Sequence, residues 1–226
     1  MTAADFQAVW LTALLAGTTT LLLMPLATPL AWWLVRSSSP ARSVVEAVVA
    51  LPLVLPPTVL GFYLLVMLNP TAPLGAFWIN ITGQSLTFSF PGLVLASVLY
   101  SLPFMVQPLA TAFRSVPQAT LEAAATLGAS PRDQLLSVVL PATKRGFLTG
   151  AVLTFAHTVG EFGVVLMMGG NIPGETRVLS IAIYEHVETL NYDAAHAMAL
   201  GLLIFSFVSL WLVYRFAGQR VEVMSK

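Results

Sequence analysis

Apolar residues in this chain come in long charge-free runs. They show neither the alternation of a half-buried strand nor the one-sided periodicity of a soluble helix. Residues 6–35, 47–68 and 91–113 hold no charged side chain. Residues 146–168 carry one acid, Glu161, and 194–214 carry none beside neutral His196. A membrane-spanning helix needs about 20 mostly apolar residues. The pattern therefore predicts an all-α, polytopic transmembrane bundle with five spans, forming one domain over residues 1–226. A secretory signal opens with a basic stretch, whereas the first basic residue here is Arg36, so residues 6–35 are read as a retained span.

One further stretch, 176–190, is ambiguous. Val178, Ile181, Ala182, Ile183, Val187 and Leu190 recur at helical spacing, but the segment is short and holds Arg177, Glu185, His186 and Glu188. A half-inserted or surface helix on the outer side is preferred. A partial span packed inside the bundle is the alternative.

Basic residues favour the cytoplasmic side. Arg36 and Arg42 separate the first two spans. Arg114, Arg132, Lys144 and Arg145 separate the third and fourth, and Arg215, Arg220 and Lys226 follow the fifth. Five crossings put all three groups on one face and leave only Arg177 on the other. The expected topology has the N-terminus outside and the C-terminus in the cytoplasm. Pro25, Pro29, Pro52, Pro56, Pro57, Pro103 and Pro108 fall inside spans and are expected to bend them. Gly146 and Gly150 form a G-x-x-x-G pair that suggests close helix contact.

The loop 114–145 reads as structured. Ser115-Val-Pro-Gln118 resembles a helix start, with Ser115 as cap and Gln118 completing a capping box. Leu121, Ala124, Ala125 and Leu127 would form a small apolar face, and Gly128 is placed to end the helix in a left-handed cap. Ser130-Pro-Arg-Asp133 starts a second helix that should run to Leu140, where Pro141 interrupts it. The product is a short, Ala-rich helix exposed to the cytoplasm. It either lies on the membrane surface or is gripped by a partner.

Glu122-Ala-Ala124, three residues, Gly128, nine residues, Val138, one residue and Leu140-Pro141 resemble the E-A-A loop of bacterial ABC import permeases. That family usually has Ile at the place of Val138. Leu51-Pro-Leu-Val-Leu-Pro-Pro57, Gly160-Glu-Phe-Gly163 and Asn171-Ile-Pro-Gly-Glu-Thr-Arg177 are similar to the molybdate permease branch in particular. The sulfate branch looks different in the last of these segments. The resemblance implies a type I ABC importer fold and import of an oxyanion, most simply molybdate, with tungstate or sulfate as alternatives. It also implies two copies of a cytoplasmic ATPase, a periplasmic or extracellular oxyanion-binding protein, and a second copy of this chain. Glu122, Ala123, Ala124, Leu127 and Gly128 would then couple the ATPase to transport.

Composition narrows the chemistry. Hydrophobic residues make up 57% of the 226 and charged residues 9%, against about 25% charged in soluble domains. Most of the surface must face lipid. A net charge of +0 implies no basic face for nucleic acid. No G-x-x-x-x-G-K-[ST] loop occurs, so ATP-driven work is expected from the partner subunit and no catalytic residue is assigned. His157, His186 and His196 match no H-E-x-x-H pattern, and neither a metal site nor a cofactor is expected. No basic residue lies within a span. Thr58, Thr154, Thr158 and Ser180 are the candidate pathway residues. Glu161, one turn after His157, is expected to make a structural or gating contact. A secondary transporter is the rival reading, but the chain shows no convincing internal repeat and no paired carboxylates for ion coupling.

Overall fold

The structure, a computed structural model, describes residues 2–217. Arg220 and Lys226, used above for topology, lie outside the described residues. Helix α1 (Ala3–Arg36) opens with a capping box between Thr2 and Asp5. At 1.5 Å per residue its 34 residues reach about 51 Å, well beyond the ~30 Å hydrocarbon core. Its buried positions, Leu11, Leu15, Thr19, Leu23, Ala27, Ala31 and Leu34, recur every three or four residues. They pack along α5 (Phe90–Arg114) and α9 (Lys144–Val159), the centre of the bundle, with α2 (Ala41–Ala50), α3 (Pro57–Met67) and α4 (Pro73–Thr82) coming between α1 and α5 in the chain. The Gly146 and Gly150 pair does bring α9 close to α5. A Cβ on Gly150 would stand 2.8 Å from Met105 Sδ, and one on Gly146 would strike Ala112 Cβ.

Among the described residues three helices are long and apolar enough to cross a membrane: α1, α5 and α12 (Tyr192–Ala217), the last over Tyr192–Arg215. Two further spans are broken. The unit of α2 and the 3-10 turn Leu51–Leu53 meets α3 at 109°, and α9 meets α10 (Gly163–Gly169) at 61°. Five crossings are reached only if each bent pair counts as one. Four of these prolines do not interrupt their helices: α1 runs on through Pro25 and Pro29, and α5 through Pro103 and Pro108. The sharp breaks fall at Pro56-Pro57 and at the proline-free Gly160-Glu161-Phe162.

Helix α4, within the connection between the second and third spans, is not apparent from the span pattern. It starts at Pro73 and ends at Gly83 in the left-handed region (φ 73°). The segment 176–190 contains α11 (Leu179–Glu188), whose ten residues reach only about 15 Å. It cannot cross a ~30 Å core alone. Leu179, Ile181 and Ala182 are buried, and α11 packs on α1 and α12, as a partial element inside the bundle would.

The loop 114–145 holds α6 (Gln118–Thr126), α7 (Pro131–Asp133), a π-helical turn Gln134–Val139 and α8 (Leu140–Ala142). The expected cap at Ser115 is not made. Its hydroxyl donates to the Ala112 carbonyl, so it finishes α5, and α6 begins after Pro117 without a side-chain cap. Ser130 and Asp133 do form the second capping box. The helix they start continues past Leu140, because the wider π turn accommodates Pro141, and it stops at Thr143, whose hydroxyl donates to the Val139 carbonyl at 2.7 Å.

Of the three apolar clusters among the described residues, two large ones are stacked along the bundle. One gathers Leu11, Leu15, Leu93, Val164, Met168 and Ile181, the other Leu23, Leu34, Met105, Leu109, Phe113 and Val139. Between them runs a buried polar belt: Thr19 and Thr20 on α1, Ser97 and Ser101 on α5, Thr154 and Thr158 on α9, and Glu161 at the α9–α10 break.

Candidate functional site

A buried carboxylate is tolerated only when donors surround it, and Glu161 meets that condition. Its side chain accepts hydrogen bonds from Ser97 Oγ at 2.6 Å and Ser101 Oγ at 2.7 Å, and His157 Nδ1 lies 3.5 Å away. Ser101 also touches His157 Nδ1 at 3.0 Å and Thr158 Oγ1 at 2.9 Å. The Ser180 hydroxyl donates to the Glu161 main-chain carbonyl. That carbonyl lies in the break, so Ser180 ties the break to α11 while the carboxylate ties it to α5.

In front of this network lies a crevice of about 520 Å³ lined by Thr58, Tyr100, His157, Gly160 and Glu161, among others. The two helix breaks meet there. A Cβ on Gly163, the first residue of α10, would stand 2.9 Å from Pro57 Cβ at the start of α3. The five polar residues singled out as pathway or gate candidates therefore divide. Thr58 and Glu161 line the crevice. Thr158 and Ser180 sit behind it, holding the network and the break. Thr154 is fully buried, with no hydrogen-bond partner for its hydroxyl. Ser97, Ser101 and Tyr100 are not among the residues the sequence pattern singles out. Ser97 and Ser101, four apart on one face of α5, were the available signal.

The second candidate element is α6. Its C-terminus is a Schellman cap: Ala129 N–H donates to the Ala124 carbonyl at 3.0 Å and Gly128 N–H to Ala125 at 2.9 Å, with Gly128 at φ +87°. The left-handed ending expected of Gly128 is thus present. The single apolar face is not. Leu121 is buried in the core beside Phe113 and Val139, whereas Leu127 is 87% exposed. Leu121 anchors the helix and Leu127 projects from its end. Glu122 and Ala123 are exposed and Ala124 is half-buried. Gln118 does not cap its own helix. It accepts from Arg36 Nη1 at 2.8 Å, and that guanidinium lies 4.7 Å from the Trp32 ring.

Arg42 and Arg114 lie towards one end of α1 and Arg177 towards the other. Arg42 and Arg114 both pair with Glu46, at 3.2 and 3.4 Å, near the α1 end that carries Arg36. Arg177 pairs with Glu185 on α11. Residues of α11 also reach the start of α1, with His186 Nε2 lying 2.8 Å from Asp5 Oδ1. The two sets occupy opposite ends of α1.

Residues 24–221 match the family described as "Binding-protein-dependent transport system inner membrane component". The chain is 53% identical over 210 residues to the molybdenum transport system permease protein ModB of Azotobacter vinelandii, covering 93% of each chain. It is 35% identical over 217 residues to the ModB of Escherichia coli K12, covering 94% of this chain and 95% of that one. Among solved structures it superposes on a chain of a bacterial alginate ABC transporter, crystallised with an alginate pentasaccharide-bound periplasmic protein. The TM-score is 0.77 at 18% identity, over 96% of this chain and 80% of the other. The broken spans, the capped helix projecting between the third and fourth, and the match over most of the sequence lead to one conclusion: this chain belongs to the binding-protein-dependent transport system inner membrane components.

Proposed function

We propose that this chain is the permease of an ATP-driven importer that carries molybdate across the inner membrane. Its 53% identity to a molybdenum permease over 93% of the chain supports the cargo. Exposed Leu127 at the end of the capped helix supports an ATPase docked on α6. An apolar side chain of that size, left bare on a helix fixed at both ends, suits a partner's groove. Glu122, Ala123, Ala124, Leu127 and Gly128 form the coupling surface.

With so few spans a sealed route needs a second copy, and a two-fold homodimer is the simplest closed arrangement. Each copy carries one ATPase, and an external oxyanion-binding protein delivers the cargo. The basic residues near the Arg36 end of α1 support an orientation with Ala3 outside, Arg36 in the cytoplasm and a cytoplasmic C-terminus. Closure of the ATPases on nucleotide draws the two α6 helices together and reopens the spans outward. Selectivity resides in the binding protein, because a route that binds cargo tightly cannot release it.

Reconstitution with the ATPase and the binding protein in vesicles tests this reading. Uptake of labelled molybdate should require ATP, persist with an uncoupler, and fall under excess unlabelled molybdate or tungstate more than under sulfate. Stronger competition by sulfate would reassign the cargo. Loss of uptake with an uncoupler at constant ATP would point to ion coupling instead.

A further inference from the structure

On α5, Tyr100, Phe104, Gln107 and Thr111 follow one another at four, three and four residues, the spacing of a single helix face. On α9, Thr149, Leu153 and His157 do the same, and none of these seven is fully buried. The two stripes line two cavities in succession. The crevice before Glu161 takes Tyr100 and His157. A cleft of about 650 Å³ takes Phe104, Gln107, Thr111, Thr149 and Leu153, and ends at Arg145 beside the loop that carries α6. At the boundary between them the rings of Phe104 and His157 stack, with centroids 3.8 Å apart and planes inclined by 24°.

We propose that these stripes form one wall of the cargo route and that the Phe104–His157 stack is the partition that closes it. The proposal rests on the reading of this chain as an oxyanion permease and locates the route that reading requires. The cleft offers what a tetrahedral oxyanion needs in exchange for water: the Gln107 amide, the Thr111 hydroxyl, and the Arg145 guanidinium at its mouth. The stacked ring faces offer a dianion no comparable donor, and an apolar constriction of this kind blocks ions by excluding water. The stack is also tied to the helix break. His157 Nδ1 lies 3.0 Å from Ser101 Oγ, which donates to Glu161, and Glu161 belongs to the segment joining α9 to α10. A change in angle at that break carries the imidazole off Phe104.

The chain contains no cysteine, so single cysteines report without background. Gln107→Cys marks the cleft and Thr58→Cys the crevice. Each is introduced into the transporter assembled with its ATPase in vesicles, and a membrane-impermeant charged thiol reagent is added to one side at a time. Gln107→Cys should react from the α6 side and Thr58→Cys from the opposite side. Adding Phe104→Ala should make Gln107→Cys reactive from both sides, while Phe104→Tyr should leave it one-sided. Where Phe104→Ala does not assemble, His157→Ala removes the other ring and should give the same two-sided labelling. Two-sided labelling with both rings intact, one-sided labelling after ring removal, or no labelling at either cysteine would overturn the proposal. Labelling as expected, but with no protection of Gln107→Cys by molybdate, would sustain the partition and overturn the cargo.

Discussion

Glu161 places a costly group in the bundle, a carboxylate 3% exposed at the level of the spans. Ser97 and Ser101 offset that cost with short bonds to its two oxygens. Replacing Glu161 with Gln keeps the shape, but it removes the charge that strengthens both bonds and turns one acceptor into a donor. Hydrogen bonds to charged groups contribute about 2 kcal/mol. Glu161→Gln should therefore lower the unfolding temperature of the detergent-solubilised permease and slow ATP-driven uptake; an unchanged melting temperature, uptake and ATPase rate would remove Glu161 from both structure and mechanism. The acid itself was legible in the sequence as a lone charge inside a span, and so was its nearness to His157. Its serine partners lie about 60 positions away, and no local pattern links them to it.

A second residue-scale test concerns the capping box in the loop. The Ser130 side chain, and then its backbone N–H, hydrogen-bond the Asp133 carboxylate and hold its pKa below the ordinary 3.8. A carboxylate with a depressed folded value contributes stability above its unfolded value and loses it only as pH falls through the lowered one. The box should thus be intact throughout the neutral range. Amide exchange at Asp133 and Gln134 should be slow there and accelerate in Ser130→Ala; identical exchange in both would show that the box does not hold the turn.

At the scale of elements, the spans were legible because hydrocarbon demands long apolar runs. Their breaks were not. Proline alone does not decide where a spanning helix stops, since neighbouring helices and side chains can re-satisfy the freed backbone groups. Pro103 and Pro108 are absorbed in α5, whereas the Gly160-Glu161-Phe162 break follows from the tertiary ties of Glu161 and Ser180. The two ends of α6 make the same point. Gly128 could be read from sequence because its role is local, a single residue at positive φ. The start could not, because Gln118 bonds to Arg36, 82 residues away.

A Cβ at Gly128 would meet no neighbour, so the cost of Gly128→Val is backbone strain, about 1–2 kcal/mol or more for a β-branched residue in that conformation. The variant should fold, bind the ATPase and hydrolyse ATP, but transport less molybdate per ATP because the end of α6 is displaced. Measured stoichiometry in vesicles decides it, and full coupling would show that the cap does not set the contact.

For the whole molecule, the apolar cores stacked above and below the polar belt make two rigid layers hinged at helix breaks. Such a body suits rocking better than continuous deformation, since packed cores resist gradual distortion. The sequence implied the family through one cytoplasmic motif and three shorter segments elsewhere in the chain. It could not reveal the belt, which is assembled from three separate chain segments. The measurement that most directly tests the account is the distance between the two α6 helices in the assembled dimer. A spin label at Ala123→Cys, in a chain with no other cysteine, would report it by pulsed electron resonance. The distance should shorten when the ATPases are trapped with nucleotide and lengthen again on its release. An equal distance in both states would contradict the claim that α6 carries the power stroke into the membrane.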